Sequence, residues 1–200
     1  MRKLSVSFYQ RDNVLEIAKE LLGKILVTKR NGVVTSGRIV ECEAYNGIVD
    51  RASHAYDGRR TNRNEIMYAS GGVAYVYLCY GIHHLFNVVT NAGDVPHAIL
   101  IRALEPLQGI DLMLKRAGKK KFDYTLTKGP GNLSKALGIF TKHSGISLLD
   151  KNLFIAEDDF VLGKRNIICS PRIGVDYAGS HAKLPYRFYI KENPFVSRKK

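Results

Sequence analysis

Two β-rich runs joined by an Asn-Gly turn constrain this chain more than any other feature. The runs cover residues 24–29 and 33–45, and Arg30-Asn31-Gly32 separates them. An Asn-Gly pair between two strand-forming runs is a strong signal of a β-hairpin, because both turn residues accept a positive φ. The sequence therefore predicts a hairpin in which the second arm, residues 33–45, has a fixed register.

The end of this second arm, Arg38–Tyr45, alternates with the period of two that is typical of a strand. A regular strand would carry Val40, Cys42 and Ala44 on one face and Ile39, Glu41, Glu43 and Tyr45 on the other. The first face is small and apolar enough to pack on a core. Two carboxylates and a phenol on the second face are hard to explain by packing. A Glu-x-Glu pair alone is more often an exposed strand face, so both interpretations stay open at this point.

The residues that follow the two carboxylates favour a functional site. The loop at 46–64 is polar and irregular and contains Asp50, Arg51, His54, Arg59, Arg60, Arg63 and Asn64, and four tyrosines come next along the chain. Loops on a rigid scaffold are where functional residues concentrate. A possible acid/base pair thus lies beside cationic groups and stacking surfaces, and we interpret this region as a site.

The charge balance points to a polyanionic partner. Lys and Arg number 31 against 18 Asp and Glu, a formal net charge of +13, and nucleic acid is the commonest partner of such chains. General basicity without function is the alternative.

The three cysteines cannot all pair, and their spacing fits no zinc site. Cys42 and Cys79 lie in apolar runs and are predicted to be buried thiols. We expect neither a membrane span nor a secretory signal peptide, which predicts a cytoplasmic (nucleoid) location in a bacterium or a nuclear one in a eukaryote.

Further elements follow from local patterns. Residues 12–23 show helical spacing, with Asp12 or Asn13 available as the N-cap. The stretch 106–121 is predicted to be helical as well. The Gly-rich turn 128–134 is predicted to open another helix with free amides that suit an anion.

A second hairpin is predicted between residues 73 and 90. A glycine at position 81 interrupts the β-rich pattern, which puts Tyr80 near the tip, where an aromatic ring contributes little to a core. Counting back from the turn places Asn87 close to Tyr77.

Residues 98–104 form another predicted strand, with Arg102 inside an apolar run. A buried arginine needs an anion or carbonyl groups around it, so Arg102 either is structural or supports a site. Later strands are predicted at 154–156, 173–175 and 187–190. Because no repeat or linker divides the chain, residues 1–200 are predicted to form one α+β domain, with an antiparallel sheet built of hairpins and surrounded by helices. Only the tail 198–200 is expected to be disordered.

These motifs together resemble a known family, the alkyladenine (3-methyladenine) DNA glycosylases of the mammalian type. The residues that carry the resemblance are Glu41-Cys-Glu-Ala-Tyr45, His54, Arg60-Thr-Asn-Arg-Asn64, Tyr75-Val-Tyr77, Tyr80-Gly81, Asn87, Arg102-Ala-Leu-Glu-Pro106, Gly129-Pro-Gly131 and Arg187-Phe-Tyr189. They follow the order and spacing of that family over nearly the whole chain, although Asn62 and the tip Ile82-His-His84 depart from its pattern.

The resemblance implies a monofunctional enzyme that flips alkylated or deaminated purines out of duplex DNA and hydrolyses their N-glycosidic bond. The implied roles are Glu43 as the catalytic base with Arg102 in support, Tyr45, His54, Tyr77 and Asn87 as the base pocket, and Tyr80 as the intercalating wedge. DNA-backbone contacts are expected from Arg59, Arg60, Arg63, Lys128 and Gly131. Damaged double-stranded DNA, approached through the minor groove by a monomer, is the implied partner. No metal or cofactor is needed, and no lysine nucleophile can be assigned for strand cleavage.

Two other functions are compatible with parts of the sequence. A sugar hydrolase could use Glu41 and Glu43 as its carboxylate pair, since residues i and i+2 of a strand lie about 7 Å apart. A non-catalytic nucleic-acid-binding module would need only the charge and the aromatic residues. The first leaves the net charge unexplained, and the second leaves the carboxylates unexplained.

Overall fold

An antiparallel sheet of nine strands, with four α-helices around it, forms the part of the chain that the computed structural model describes, residues 1–197. The strands are β1 (Arg2–Lys3), β2 (Ile25–Arg30), β3 (Val33–Tyr45), β4 (Ala74–Cys79), β5 (His83–Thr90), β6 (His97–Gln108), β7 (Leu153–Glu157), β8 (Ile167–Ser170) and β9 (Arg187–Ile190). The α-helices are α1 (Val6–Tyr9), α2 (Val14–Leu21), α3 (Ile110–Ala117) and α4 (Pro130–Leu137). The predicted α+β class and its hairpin-built sheet are confirmed.

The predicted Asn-Gly hairpin joins β2 to β3. Asn31 and Gly32 have φ values of 50° and 79°, and Arg30 pairs with Val33 across the turn. Both values lie in the left-handed region, as a two-residue hairpin turn of type I′ requires. β3 therefore begins in a register that its turn sets.

β3 is the central strand of the sheet. The order is β1-β7-β2-β3-β6-β5-β4, and β9 pairs with both β3 and β8. One edge of β3 pairs first with β2 through residues 33–38 and then with β9 through residues 41–43, while the other edge pairs with β6. Residues 41–43 are thus enclosed by strands on both sides, and all nine strands join one sheet.

The predicted faces of β3 are wrong at Ile39 and Val40. Ile39 faces Leu104 and Cys42 faces Ile101, so one residue on each strand, Val40 and Arg102, has no partner in the register. These paired bulges interrupt the period of two. An extra residue in a strand shifts the side chains that precede it to the opposite face of the sheet.

Side-chain packing follows the shifted register. Ile39 lies with Cys42 and Ala44 in the main core, while Val40 packs with Ala103 and Phe195 in a separate small cluster. The predicted core positions of Cys42 and Ala44 are confirmed.

Several element boundaries differ from the prediction. β6 runs on to Gln108 across an irregular register at Pro106, and α3 begins only at Ile110 after Gly109 with a φ of 76°. Residues 173–175 form an open bend rather than a strand. Strands β1 and β8 were not predicted from the sequence. In the second hairpin Asn87 pairs with Tyr75 and lines a cavity together with Tyr77, as the predicted closeness of Asn87 to Tyr77 requires. The tail 198–200, predicted to be disordered, lies outside the described residues.

The main core is built from α2, the inner face of the sheet and α4. α2 starts at Asn13, whose side chain accepts hydrogen bonds from the amides of Leu15 and Glu16 at 3.1 and 3.2 Å. Between residues 1 and 197, no helix has the length and apolar character needed to cross a membrane.

Asn13 rather than Asp12 supplies the cap, which predicts unequal effects of two neighbouring substitutions. Asn13→Ala should lower the free energy of unfolding by about 1 kcal/mol, because two amides of the first turn lose their acceptor. Asp12→Ala is the control and should change it by less than about 0.5 kcal/mol. Urea unfolding of the two variants measures the difference, and equal losses would show that Asn13 is not the cap.

Candidate active site

A cleft of about 560 Å³ opens between the β4–β5 hairpin, the start of α4 and the bend at 173–177. The predicted site residues that line it are Tyr45, His54, Arg63, Tyr77, Tyr80, Arg102 and Gly131. A smaller cavity of about 40 Å³ adjoins it, sharing Tyr45, His54 and Tyr77 and adding Asn87. The structure thus brings together residues from 45 to 131 that the sequence analysis assigned to one site.

Glu43 lies fully buried beneath the wall of the cleft. Its Oε1 accepts a hydrogen bond from the Ile173 amide at 2.8 Å, and its Oε2 accepts one from the Tyr45 hydroxyl at 3.0 Å. Arg102 Nη1 lies 3.3 Å from the same Oε2. Three donors on different elements therefore fix the direction of this carboxylate.

Glu41 is also fully buried but has a different environment. Its Oε1 accepts from Arg102 Nε at 3.0 Å and from Arg187 Nε at 2.7 Å, and its Oε2 accepts from the Ser197 amide at 2.7 Å. Neither glutamate lines the cleft, but Glu43 contacts the lining residues Tyr45, Arg102 and Ile173, whereas Glu41 contacts only Arg102 among them. Its contacts tie β3 to β6, β9 and the C-terminal segment, so it is a structural carboxylate.

The sequence left open whether Arg102 is structural or supports a site, and in the structure it lies where it can do both. Its guanidinium contacts both Glu41 and Glu43, and the side chain is 9% exposed. The bulge at Arg102 leaves this residue outside the regular pairing of β6, and bulges commonly redirect a side chain in this way. Arg102 is therefore both part of the buried charge cluster and part of the cleft wall.

His54 and Tyr77 form an aromatic wall of the cleft. Their ring centroids lie 4.7 Å apart in an edge-to-face arrangement, and His54 Nδ1 is hydrogen-bonded to the Tyr75 hydroxyl at 2.9 Å. Burial, together with the positive charges of Arg63 and Arg59, lowers the pKa of His54 to about 4. The imidazole is therefore neutral at physiological pH and offers a flat, uncharged surface.

Tyr45 forms another aromatic surface of the cleft and is a neutral phenol. Burial raises its pKa, and the negative charge of Glu43 raises it further. The hydroxyl therefore stays protonated and donates a hydrogen bond to the Glu43 carboxylate.

Asn87 is 3% exposed at the floor of the smaller cavity. Its Nδ2 donates to the carbonyls of Tyr75 and Leu85, each at 3.2 Å. These bonds consume both amide protons and hold the side chain in one orientation.

Tyr80 lies at the tip of the β4–β5 hairpin and is 90% exposed. It has a φ of 51°, followed by Gly81 at 73°, and the Ile82 amide donates to the Cys79 carbonyl at 3.2 Å. This turn projects the ring at the mouth of the cleft.

His83 packs against Gly131 at the start of α4. A Cβ at position 131 would come within 2.7 Å of His83 Nδ1, so only glycine permits this contact. The contact joins the hairpin to the Gly-rich turn and thereby defines the mouth of the cleft.

The residues predicted to contact the DNA backbone differ in exposure and in whether they already form ion pairs within the protein. Arg60 already pairs with Glu65 and Asp94, whereas Arg59 is an exposed loop residue. Arg63 lines the cleft mouth over the Tyr77 ring, and Lys128 is half-buried just before α4.

Cys42 is buried as predicted, whereas Cys79 is only half-buried because it borders the cleft. Within residues 1–197, no group of three His, Cys, Asp or Glu side chains is arranged to hold a metal ion.

Sequence reasoning missed the elements that close the site from the far end of the chain. Arg172 is fully buried, contacts both carboxylate oxygens of Asp50, and donates to the Ala44 carbonyl at 2.9 Å. The bond from Arg172 to the Ala44 carbonyl fastens residues 172–175 to β3, Asp50 holds the guanidinium in place, and the Ile173 amide thereby reaches Glu43. Asp50 had been noted without a role. The only available signal for the bend was Gly174, which has a φ of 75°.

The Asp50–Arg172 pair predicts a large loss of stability when one partner is neutralised. Burial alone would raise the pKa of Asp50, but hydrogen bonds and charge from Arg172 outweigh it and lower the pKa. Asp50→Asn should lower the free energy of unfolding by about 3 kcal/mol, because a buried guanidinium loses its counter-ion.

Glu65→Gln, which weakens an exposed pair with Arg60, is the matched control and should cost less than about 1 kcal/mol. The contribution of Asp50 is present above the pKa of the unfolded chain and is lost as the pH falls through the lowered folded value. Denaturant unfolding at neutral and acidic pH measures both effects. Similar losses in the two variants would contradict the assignment.

Comparison with known proteins agrees with this geometry. Residues 7–194 match the family model described as Methylpurine-DNA glycosylase (MPG). Proteins named "Putative 3-methyladenine DNA glycosylase" are 45% identical in Clostridium perfringens (strain 13 / Type A), covering 98% of this chain and 100% of that protein, and 48% identical in Bacillus cereus (strain G9842), covering 96% and 98%. A protein of that name from Chlamydia abortus is 47% identical, covering 94% of this chain and 97% of its own. The chain therefore belongs to the methylpurine-DNA glycosylase family and is a hydrolase of N-glycosyl bonds.

Proposed function

We propose that this chain is a monofunctional DNA glycosylase that removes damaged purines from duplex DNA and so initiates base excision repair. Its proposed substrates are 3-methyladenine, 7-methylguanine, hypoxanthine and ethenoadenine. The observation that carries the proposal is the buried Glu43 carboxylate, held by three donors directly behind a cleft with aromatic walls. Release of free base from alkylated duplex DNA tests the activity.

The exposed ring of Tyr80 supports a base-flipping mechanism. A base inside a duplex is inaccessible, and extruding it costs a few kcal/mol, less for a damaged or weakly paired base. An aromatic side chain that enters the vacated gap from the minor groove keeps the base from returning. Tyr80, at 90% exposure beside the cleft, has the position for this role.

The aromatic residues of the cleft support stacking of the flipped base between Tyr45 and Tyr77, with His54 at its edge. Neutral His54 adds no charge to this environment. The fixed amide of Asn87 lines the adjoining cavity, where it would clash with the exocyclic amine of guanine and so disfavour guanine-type bases, including 7-methylguanine, which carries the same amine. Adenine-type bases carry no amine at that edge and would fit.

Glu43 is the proposed general base. It takes a proton from a water molecule while the water oxygen bonds to the anomeric carbon of the sugar, and the electron pair of the broken C–N bond leaves with the base. General-base assistance of this kind contributes about 10²–10⁴-fold. Arg102 and the Ile173 amide keep the carboxylate aimed at this water. Among residues 1–197 no lysine lines the cleft, which supports hydrolysis without a Schiff base or strand cleavage.

The proposed partner is damaged double-stranded DNA, bound by a monomer from its minor-groove side. The net charge of +13 and the free arginines near the cleft mouth support affinity for phosphate. The three relatives described above are bacterial proteins, which favours the nucleoid as the place of action.

The two rival functions predict different outcomes. A two-carboxylate sugar hydrolase needs Glu41 at the cleft, but Glu41 is committed to Arg102, Arg187 and the Ser197 amide. A binding module without activity would retain DNA affinity and release no base.

Glu43→Gln is the first decisive variant. The amide keeps the volume but cannot accept a proton at neutral pH, so single-turnover base release should fall by about 10²–10⁴-fold while lesion binding stays close to that of the unaltered protein.

Glu41→Gln should show the converse behaviour. It should lower the free energy of unfolding by about 3 kcal/mol, because two buried arginines share less negative charge, and it should retain most of the activity at temperatures where the variant is folded. Normal excision by Glu43→Gln would disprove its role, and equal loss in both variants would favour the sugar-hydrolase mechanism.

Tyr80→Ala tests the wedge. The exposed ring contributes little to the core, so the melting temperature should stay within a degree or two, whereas affinity for an abasic-site duplex and the excision rate should each fall by about tenfold or more. Fluorescence anisotropy and single-turnover assays measure the two losses. Excision at the parental rate would exclude Tyr80 as the wedge.

A further inference from the structure

We propose that Arg63 is a specificity-determining residue that favours neutral lesions, such as hypoxanthine and ethenoadenine, over cationic ones, such as 7-methylguanine and 3-methyladenine. This inference rests on the proposed function, because it takes the cleft as the site of the flipped base. It concerns the relative rates at which different damaged bases are removed. Family membership does not determine these rates.

Arg63 introduces a positive charge at the mouth of the base cleft. It lines the cleft, its guanidinium carbon lies 5.6 Å from the centroid of the Tyr77 ring, and its Nη2 donates to the Leu78 carbonyl at 3.4 Å. The same charge contributes to the lowered pKa of His54 deeper in the wall. The guanidinium therefore acts on the space in which a flipped base would stack.

The charge of Arg63 is not balanced by a neighbouring carboxylate. Between residues 1 and 197, no Asp or Glu oxygen lies within 4.0 Å of it. Of the other arginines near the site, Arg102 pairs with Glu41 and Glu43, Arg172 with Asp50, and Arg60 with Glu65 and Asp94, while Arg59 is exposed on the loop and does not line the cleft. Of the two arginines that line the cleft, Arg102 is paired and Arg63 is not, so Arg63 adds a positive charge to the cleft mouth.

A positive charge beside Tyr77 weakens the binding of cationic bases. A guanidinium over an aromatic ring already makes a cation–π interaction with that ring. The ring then attracts a cationic base less strongly. Two like charges in a site from which bound DNA excludes water also repel each other more strongly than in bulk solvent. Both effects act against 3-methyladenine and 7-methylguanine, and neither acts against a neutral base.

The same charge assists departure of a neutral base. When the C–N bond breaks, the bonding electron pair goes to the purine, so a neutral base leaves with a developing negative charge and takes a proton from water afterwards. A cationic base becomes neutral in the same step and needs no such help. A positive group held near a developing anion lowers the barrier to its formation, so Arg63 should accelerate release of hypoxanthine and not of 7-methylguanine.

The test compares two single-lesion duplexes, one with hypoxanthine and one with 7-methylguanine, at saturating enzyme under single-turnover conditions. Arg63→Gln should lower the hypoxanthine rate by about tenfold or more, since loss of a single stabilising donor costs about 10²–10³-fold in a fully enclosed site and this one lies at the mouth. The 7-methylguanine rate should change by less than about threefold or should rise. Arg63→Lys, which keeps the charge, should restore much of the original ratio.

Arg11→Gln is the matched control, because Arg11 also lies over an aromatic ring, that of Phe8, but outside the cleft. It should leave the ratio of the two rates unchanged. A parallel fall of both rates in Arg63→Gln, or an unchanged ratio, would overturn the proposal and make Arg63 a phosphate contact only. Failure of the unaltered protein to release either base would instead overturn the proposed function, and this inference with it.

Discussion

The bridge that Arg102 forms between Glu41 and Glu43 is the interaction on which the rest of the site depends. Two fully buried carboxylates two residues apart would repel each other strongly without compensating cations. Arg102 contacts both, and Arg187 adds a second positive charge to Glu41. With this compensation, one carboxylate can anchor strands while the other points toward the cleft.

The cleft is assembled from parts that are individually ordinary. A strand supplies Glu43, a tight hairpin supplies Tyr80, and the bend at 172–175 supplies the Ile173 amide. Arg172, held by Asp50, joins the last of these to β3 through the Ala44 carbonyl, and the contact of His83 with Gly131 joins the hairpin to α4. Because each part is fixed by a short-range contact, the cleft has a defined shape.

Charge in this cleft is distributed unevenly. Glu43, Arg102 and Arg172 belong to paired clusters, and His54 is neutral because burial lowers its pKa to about 4. Arg63 stands outside these pairs at the mouth. The cleft therefore combines a neutral His54 in its wall with a positively charged Arg63 at its entrance.

The sequence by itself determined the parts of this protein that depend on neighbouring residues: the Asn31-Gly32 hairpin, helix α2 and the exposed tip at Tyr80, because turn chemistry and periodicity are local. The resemblance to a known family, carried by the order of the motifs, predicted that residues which line the cleft belong to one site. Only the tertiary structure decided that bulges place Ile39 in the core, that Glu41 is structural, and that Ile173, 130 residues from Glu43, supplies its amide donor. The position of a bulge depends on how two strands pack together, and a long-range hydrogen bond depends on the path of the whole chain. Neither can be predicted from a local sequence pattern.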